Sequence, residues 1–398
     1  MVRMHMLRPV VVAGLLVVAL SGCSTVKGWF AGKDAEAKKA AEPAELVDFQ
    51  ATAQPSKIWS KQLGDGERKI GARQGPVVAD GRVYAAAAEG RVTALDLQTG
   101  KEVWQFEGTK EDALRLSGGP GVGDGLVAVG SLAGDVIVLD ASNGSERWRA
   151  KVTSEVIAAP LVTQGLVFVR SNDGRVSAFD AANGERRWFS EHELPSLTVR
   201  GNAPLVFAPG IVFVGNDDGT LSALALQDGR VLWQQPVANV DGRTELERMS
   251  DVDSAPLIDG TLLFVSSFKN RSVAIDGPTG RPMWQSEHGG IGGMAVSPSG
   301  LLVSSPAGTV YSLDKNTGAA LWSQPVLARR SVTGPAVQGD YAVVGDFDGY
   351  LHWLRLDNGE VAARERVGGK ALRAKPVVAD GILLVQNVEG ELSAFRLQ

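Results

Sequence analysis

The chain has 398 residues, 44% of them hydrophobic and 21% charged, and its 48 glycines make up about 12% of the whole against a usual ~7%. That composition excludes a disordered or collagen-like polymer and describes a large, turn-rich folded body. The formal net charge is -5, or -7 once the leader's Arg3 and Arg8 are set aside. It argues against nucleic acid as a partner, because a binder needs a basic surface to displace the counterions of phosphates.

Residues 1–22 read as a lipoprotein signal peptide. Arg3 and Arg8 give a basic start, Pro9 to Leu20 is an apolar run of 12 residues, and Leu20-Ser21-Gly22-Cys23 follows. Twelve apolar residues fall short of the roughly 20 that a transmembrane helix needs. A small-residue cleavage site ending in the chain's one cysteine reads as a bacterial lipobox, the alternative being an ordinary secretory leader with an incidental Cys. On the lipobox reading Cys23 becomes the acylated N-terminus, its thiol being the nucleophile that is alkylated. Several acyl chains at ~0.8 kcal/mol per buried CH₂ hold a soluble body on a membrane. Ser24 stands where an aspartate would resemble the inner-membrane retention signal of bacterial lipoproteins. That resemblance implies a lipid-anchored protein at the periplasmic face of the outer membrane. Residues 23–57 are then the lipidated Cys and a flexible tether, whose coil spans about 32 Å.

From residue 58 to 398 one pattern repeats. It runs from Pro76 to Trp104, Pro120 to Trp148, Pro160 to Trp188, Pro204 to Trp233 and Pro256 to Trp284, then from Met294 to Trp322 and Pro335 to Ala363, with a last copy from Pro376 to Gln398. Eight units of about 42 residues match the ~40–45 of a four-stranded propeller blade. Within a unit, Asp80-Gly81, Asp173-Gly174 and Asn183-Gly184 exemplify three hairpin turns between apolar runs, so each unit makes four antiparallel strands. The recurring Trp is best explained as packing between blades. Asp96, Asp140, Asp180, Asp276 and Asp314 precede the third turn and read as Asx caps rather than catalytic acids. The eighth unit lacks its fourth strand, and Lys57-Ile58-Trp59-Ser60 supplies one. The expectation is an all-β, eight-bladed propeller of four-stranded antiparallel blades, closed by pairing the N-terminal strand into the C-terminal blade.

Eight blades with tryptophans so placed resemble the pyrroloquinoline-quinone dehydrogenases, whose cofactor lies in the channel with a calcium ion against a vicinal cysteine pair. Here the single Cys belongs to the lipobox and there is no C-x-x-C-H haem motif. Gly121-x-Gly123 fails the dinucleotide fingerprint, since Leu126 stands in place of its third glycine. His192, His288 and His352 are too scattered for a metal site. No catalytic, metal or cofactor residue is assigned, and a quinoprotein-type propeller with a cofactor in its channel is kept as the alternative.

Function is then sought in the irregular connections. Trp233 to Pro256 is the longest link, at 23 residues, and Trp188 to Pro204 spans 16. As successive connections of one topological type they emerge on one face. Leu197 and Val199 fall on one side of an extended segment, followed by Arg200, and Asp251 and Asp253 pair likewise in the second loop. An apolar pair, a guanidinium and two acids on a rim fit a protein-docking patch, while a loop folded on its own blade with turn-capping aspartates is the plainer alternative.

Lipobox, tether, eight closed units and the segments Pro195-Ser196-Leu197-Thr198-Val199-Arg200-Gly201 and Arg248-Met249-Ser250-Asp251-Val252-Asp253 together resemble the BamB family, lipoprotein subunits of the bacterial outer-membrane β-barrel assembly machinery. The resemblance covers the whole chain. It implies a non-enzymatic scaffold without cofactor, whose two loops contact a periplasmic POTRA module of the barrel-forming subunit BamA and which helps receive unfolded outer-membrane protein precursors. By position, Leu197, Val199 and Arg200 supply one half of the contact and Asp251 and Asp253 the other. Val199 stands where the family pattern leads one to expect Leu, and Ala363 departs from the blade Trp.

Overall fold

The computed structural model describes residues 42–67, 73–108, 114–198, 203–238, 244 and 250–398. They form 32 strands, β1 to β32, in eight four-stranded antiparallel sheets arranged as an eight-bladed propeller. Seven sheets use consecutive strands. In the eighth, β1 (Pro55–Gln62) pairs antiparallel with β32 (Glu391–Leu397), beside β31 (Ile382–Gln386) and β30 (Val377–Ala379). The N-terminal strand therefore closes the ring, as the missing fourth strand requires.

The hairpins follow from local chemistry. At Asp80-Gly81, Asp124-Gly125 and Asp380-Gly381 both residues have positive φ, the backbone that tight two-residue turns demand and that Asp and Gly tolerate. The third turns are capped as their spacing implies: Asp96 Oδ1 accepts from Thr99 N at 2.8 Å, Asp140 Oδ1 from Ser142 N at 2.8 Å and Asp180 Oδ1 from Ala182 N at 2.9 Å. These carboxylates are structural.

The tryptophans link neighbours. Each indole Nε1 from Trp59, Trp104, Trp148, Trp188, Trp233, Trp284 and Trp322 donates to a backbone carbonyl of the next blade at 2.8–3.0 Å. The ring lies against the next blade's third-turn glycine. At Gly184, where φ is +74°, a Cβ would meet Trp148 at 2.7 Å, and Gly359 stands in the same relation to Trp322. Trp and glycine are thus one device shared between blades, which is why they recur together.

Blade 7 departs from this pattern for a geometric reason. Opposite each fourth-strand Trp the third strand carries a smaller residue, such as Ala94, Ala178 or Ala274. In blade 7 the pair is inverted, with Trp353 on β28 (Tyr350–Arg355) opposite Ala363 on β29 (Val361–Arg366). In the eighth blade the third and fourth strands are β32 and β1, which no hairpin joins, so no third-turn glycine waits for an indole. Trp353 instead sits fully buried and donates to Gln338 Oε1 at 2.8 Å, while Gln338 Nε2 donates to Phe395 O at 3.2 Å and to Gly381 O at 2.9 Å.

Part of the expected tether is not free. Residues 44–54 lie along blades 6 to 8: Ala44 N donates to Ala328 O, Thr52 N and Ala53 N to Ala362 O, and Gln398 N to Gln54 O. Leu46 and Ala53 pack into the inter-blade cores. Arg330 Nη1 and Arg364 Nη1 donate to Ala44 O and Val47 O, at 3.0 and 3.1 Å. The folded body consequently begins near Ala44, not at residue 58, because blades 6 to 8 offer this strap backbone partners and apolar contacts. Cys23 lies outside the described residues.

Candidate functional site

In a propeller with this strand order, the links from a fourth strand to the next first strand share one face with the hairpins between second and third strands. The two loops of interest lie there. The first follows β13 (Arg186–Glu191) and leads into β14 (Val206–Ala208); the second follows β17 (Val231–Pro236) and leads into β18 (Leu257–Asp259).

The first loop presents apolar surface. Leu197 is 48% exposed and Leu194 37%, and nearby on β13 the exposed Phe189 ring lies under the guanidinium groups of Arg175 and Arg186. The loop's root is held by His192, whose Nε2 is 2.9 Å from Asp218 Oδ2; this hydrogen bond pulls the imidazole's pKa above its ordinary value. Val199 and Arg200 lie outside the described residues.

The second loop differs from the rim expected of it. Asp251 has no exposed surface and Asp253 only 6%. Val252 between them is buried among Phe213, Leu221, Leu263 and Val265, and donates its N–H to Asn216 O, while Asp251 O accepts from Phe268 N. Residues 250–254 are therefore threaded between hairpins of blades 4 and 5. Because the segment is covered by both blades, Val252 and the carboxylates on either side of it are all buried, beneath the surface rather than on it. Both are corrected from exposed rim residues to buried ones.

Around them lies a charge cluster that sequence reasoning missed. Arg170 and Asp217 form a buried ion pair. Burial and the adjacent Asp251 push the Asp253 carboxyl up to about 7, against the opposing pull of Arg170 and Arg73. The signal was available: Arg170 interrupts the apolar run Leu166-Val167-Phe168-Val169 of a central strand, where a charge needs a buried partner. Among the described residues no group of three or more His, Cys, Asp or Glu side chains is arranged to hold a metal.

Toward the axis the two loops border a cavity. One lobe of about 210 Å³ is lined by Arg73, Pro204, Asp253, Met294 and Lys375 among others, and an adjoining lobe of about 390 Å³ by Arg73, Ser304, Thr333 and Arg373. The first lobe touches blades 1, 2, 4, 5, 6 and 8, which only the mouth of the central channel can do. The described ends of both loops, at Pro204 and Asp253, thus line the channel mouth.

A family model described as outer membrane protein assembly factor BamB matches residues 41–117, 88–324 and 306–397. The outer membrane protein assembly factor BamB of Xanthomonas campestris is 62% identical over 403 residues, covering 100% of this chain and 99% of the relative. That of Escherichia coli is 34% identical over 392 residues, covering 96% and 98%. Among solved structures, BamB from Moraxella catarrhalis superposes with a TM-score of 0.78 at 25% identity, covering 86% of this chain and 100% of that one. A quinohemoprotein alcohol dehydrogenase from Comamonas testosteroni reaches 0.67 at 16% identity, with coverages of 88% and 78%, and shows a shared fold alone.

Proposed function

The chain belongs to the family of the outer membrane protein assembly factor BamB, and on that premise we propose that it serves outer-membrane protein assembly as a non-enzymatic scaffold of the β-barrel assembly complex. Anchored at the periplasmic face of the outer membrane by acylated Cys23, it docks a periplasmic POTRA module of BamA and holds it where unfolded barrel precursors arrive. The observation that carries this reading is the exposed apolar pair Leu194 and Leu197, in a loop on the same face as the chain's longest inter-blade connection. Leu197, Val199 and Arg200 make the contact. Asp251 and Asp253, being buried, act from below by fixing the path of the second loop.

The test is binding of the body lacking residues 1–23 to the periplasmic region of BamA. Truncating a desolvated anchor typically costs ~2 kcal/mol or more, about 30-fold in Kd, whereas a rim charge costs little. Leu197→Ala and Arg200→Ala are expected to weaken binding by at least that factor. Glu185→Ala, in a third turn on the opposite face, is expected to leave it unchanged. Equal binding by all three variants and the native chain rules out this docking face.

A further inference from the structure

The repeat makes an asymmetry of the channel visible. Just before the blade-opening Pro or Met, seven units carry Gly or Ala, namely Gly75, Gly119, Ala159, Ala203, Ala255, Gly293 and Gly334, but the eighth carries Lys375. Two residues earlier, blades 8 and 1 carry Arg373 and Arg73 at equivalent positions. Small residues keep the axis clear around the ring, and three cations are gathered on one side of it. All three line the cavity at the channel mouth.

Two buried carboxylates, Glu67 and Asp253, act on Arg73 through space, and Glu67 also on Arg373, but without ion-pair contact. Arg73 Nη1 donates to Ile291 O and Lys375 Nζ to Met294 O, both neutral carbonyls. Arg373 is exposed, and no described carboxylate forms an ion pair with any of the three. On the wall between them, Ser304 is 3% exposed with a buried hydroxyl that has no hydrogen-bond partner. Desolvated positive charge without a counter-ion is costly. Arginine forks favour planar oxyanions, which they bind bidentately. Two lobes meeting at Arg73 leave room for more than one anionic group.

We propose that the channel mouth between blades 8 and 1 is a binding site for an extended ligand carrying two or more carboxylates, held by Arg73, Arg373 and Lys375 with Ser304 as a neutral donor. The chemistry fits a run of acidic side chains in a peptide or a small free polycarboxylate. It is independent of the docking loops' role, since no residue of the contact triad is used.

Protonation supports the same site. Lys375 is pushed down to about 8 by burial, while Glu67, behind the two arginines, and Asp253, across the lobe, are both pushed up to about 7, chiefly by burial. Arg170, Asp217 and Asp251 face Asp253 from beyond. As pH falls from 8 to 6, Lys375 gains charge and the two acids lose it, so anion affinity rises.

The experiment titrates the full propeller with capped tetraglutamate, with citrate, and with capped tetraglutamine as the uncharged control, by calorimetry at pH 6 and pH 8. Binding of either anionic probe at one per chain is expected, tighter at pH 6. It should weaken about 10-fold in Arg373→Gln, a variant whose exposed side chain leaves the melting temperature unchanged. Binding of tetraglutamate alone identifies a peptide as the source, and equal binding of citrate identifies a small polycarboxylate. Anionic probes that bind no better than tetraglutamine, or that bind Arg373→Gln as tightly as the native chain, overturn the proposal.

Discussion

Single residues in this protein act through the blade next door. The inverted pair Trp353 and Ala363 tests that dependence. Trp353→Ala opens a cavity in a fully buried core and is expected to cost about 3–5 kcal/mol in a urea melt. Adding Ala363→Trp restores the indole to its usual strand, yet is expected to recover none of the loss, because blade 8 offers no turn glycine for it to cover. Recovery to native stability would show that the indole's volume, not its platform, matters. Asp253 gives a second test. Its pKa is about 4 in an unfolded chain and about 7 in the folded one. Between those values the folded state holds more protons, so this group's effect lowers stability as pH rises from about 4 to about 7 and then levels off. Relative to the native chain, Asp253→Asn should therefore gain stability across that window, reaching about 4 kcal/mol at pH 8. Parallel stability curves for the two proteins would mean that Asp253 titrates normally.

At the scale of elements, the strap of residues 44–54 and the two long loops have opposite fates. The strap reads as tether in the sequence because it shows no alternation; its order comes from backbone hydrogen bonds to Ala328, Ala362 and Gln398 and from two arginine side chains reaching up to it. A chain beginning at Pro55 is expected to keep its β-sheet circular dichroism but to unfold at lower urea, by roughly 2–4 kcal/mol, since several partly buried hydrogen bonds and the Leu46 and Ala53 contacts go at once. An unchanged midpoint would make the strap an adherent tail without structural weight. The loops show the limit of spacing arguments. An alternation of two polar positions, Asp251 and Asp253, was legible; their burial was not, because it is decided by the threading of their segment between hairpins of blades 4 and 5.

For the whole molecule, closure is the governing feature. With β1 in place, β32 has neighbours on both sides and the ring has no open seam. A chain beginning at Gly64 leaves β32 as an unpaired edge next to a blade without Trp59, and is expected to self-associate through that edge, seen as a rise in light-scattering mass at micromolar concentration. A monodisperse monomer of native stability would show that closure is dispensable.

Blade number, strand number, turn positions and the closing strand were all readable from the chain, because each unit repeats the same local demands: positive φ at the turns, alternation in the strands, and an indole opposite a small residue. Family membership was readable for the same reason, from two loop segments set against a regular background. What only the tertiary structure decided are facts about neighbours far apart in sequence. Trp353 substitutes for Ala363 because no hairpin joins the third and fourth strands of the next blade. The strap is ordered because carbonyls, arginines and apolar contacts of blades 6 to 8 hold it. Asp251 and Asp253 are buried because their segment is threaded between blades 4 and 5, and three cations from blades 8 and 1 gather on one side of a channel that exists only once the ring has closed.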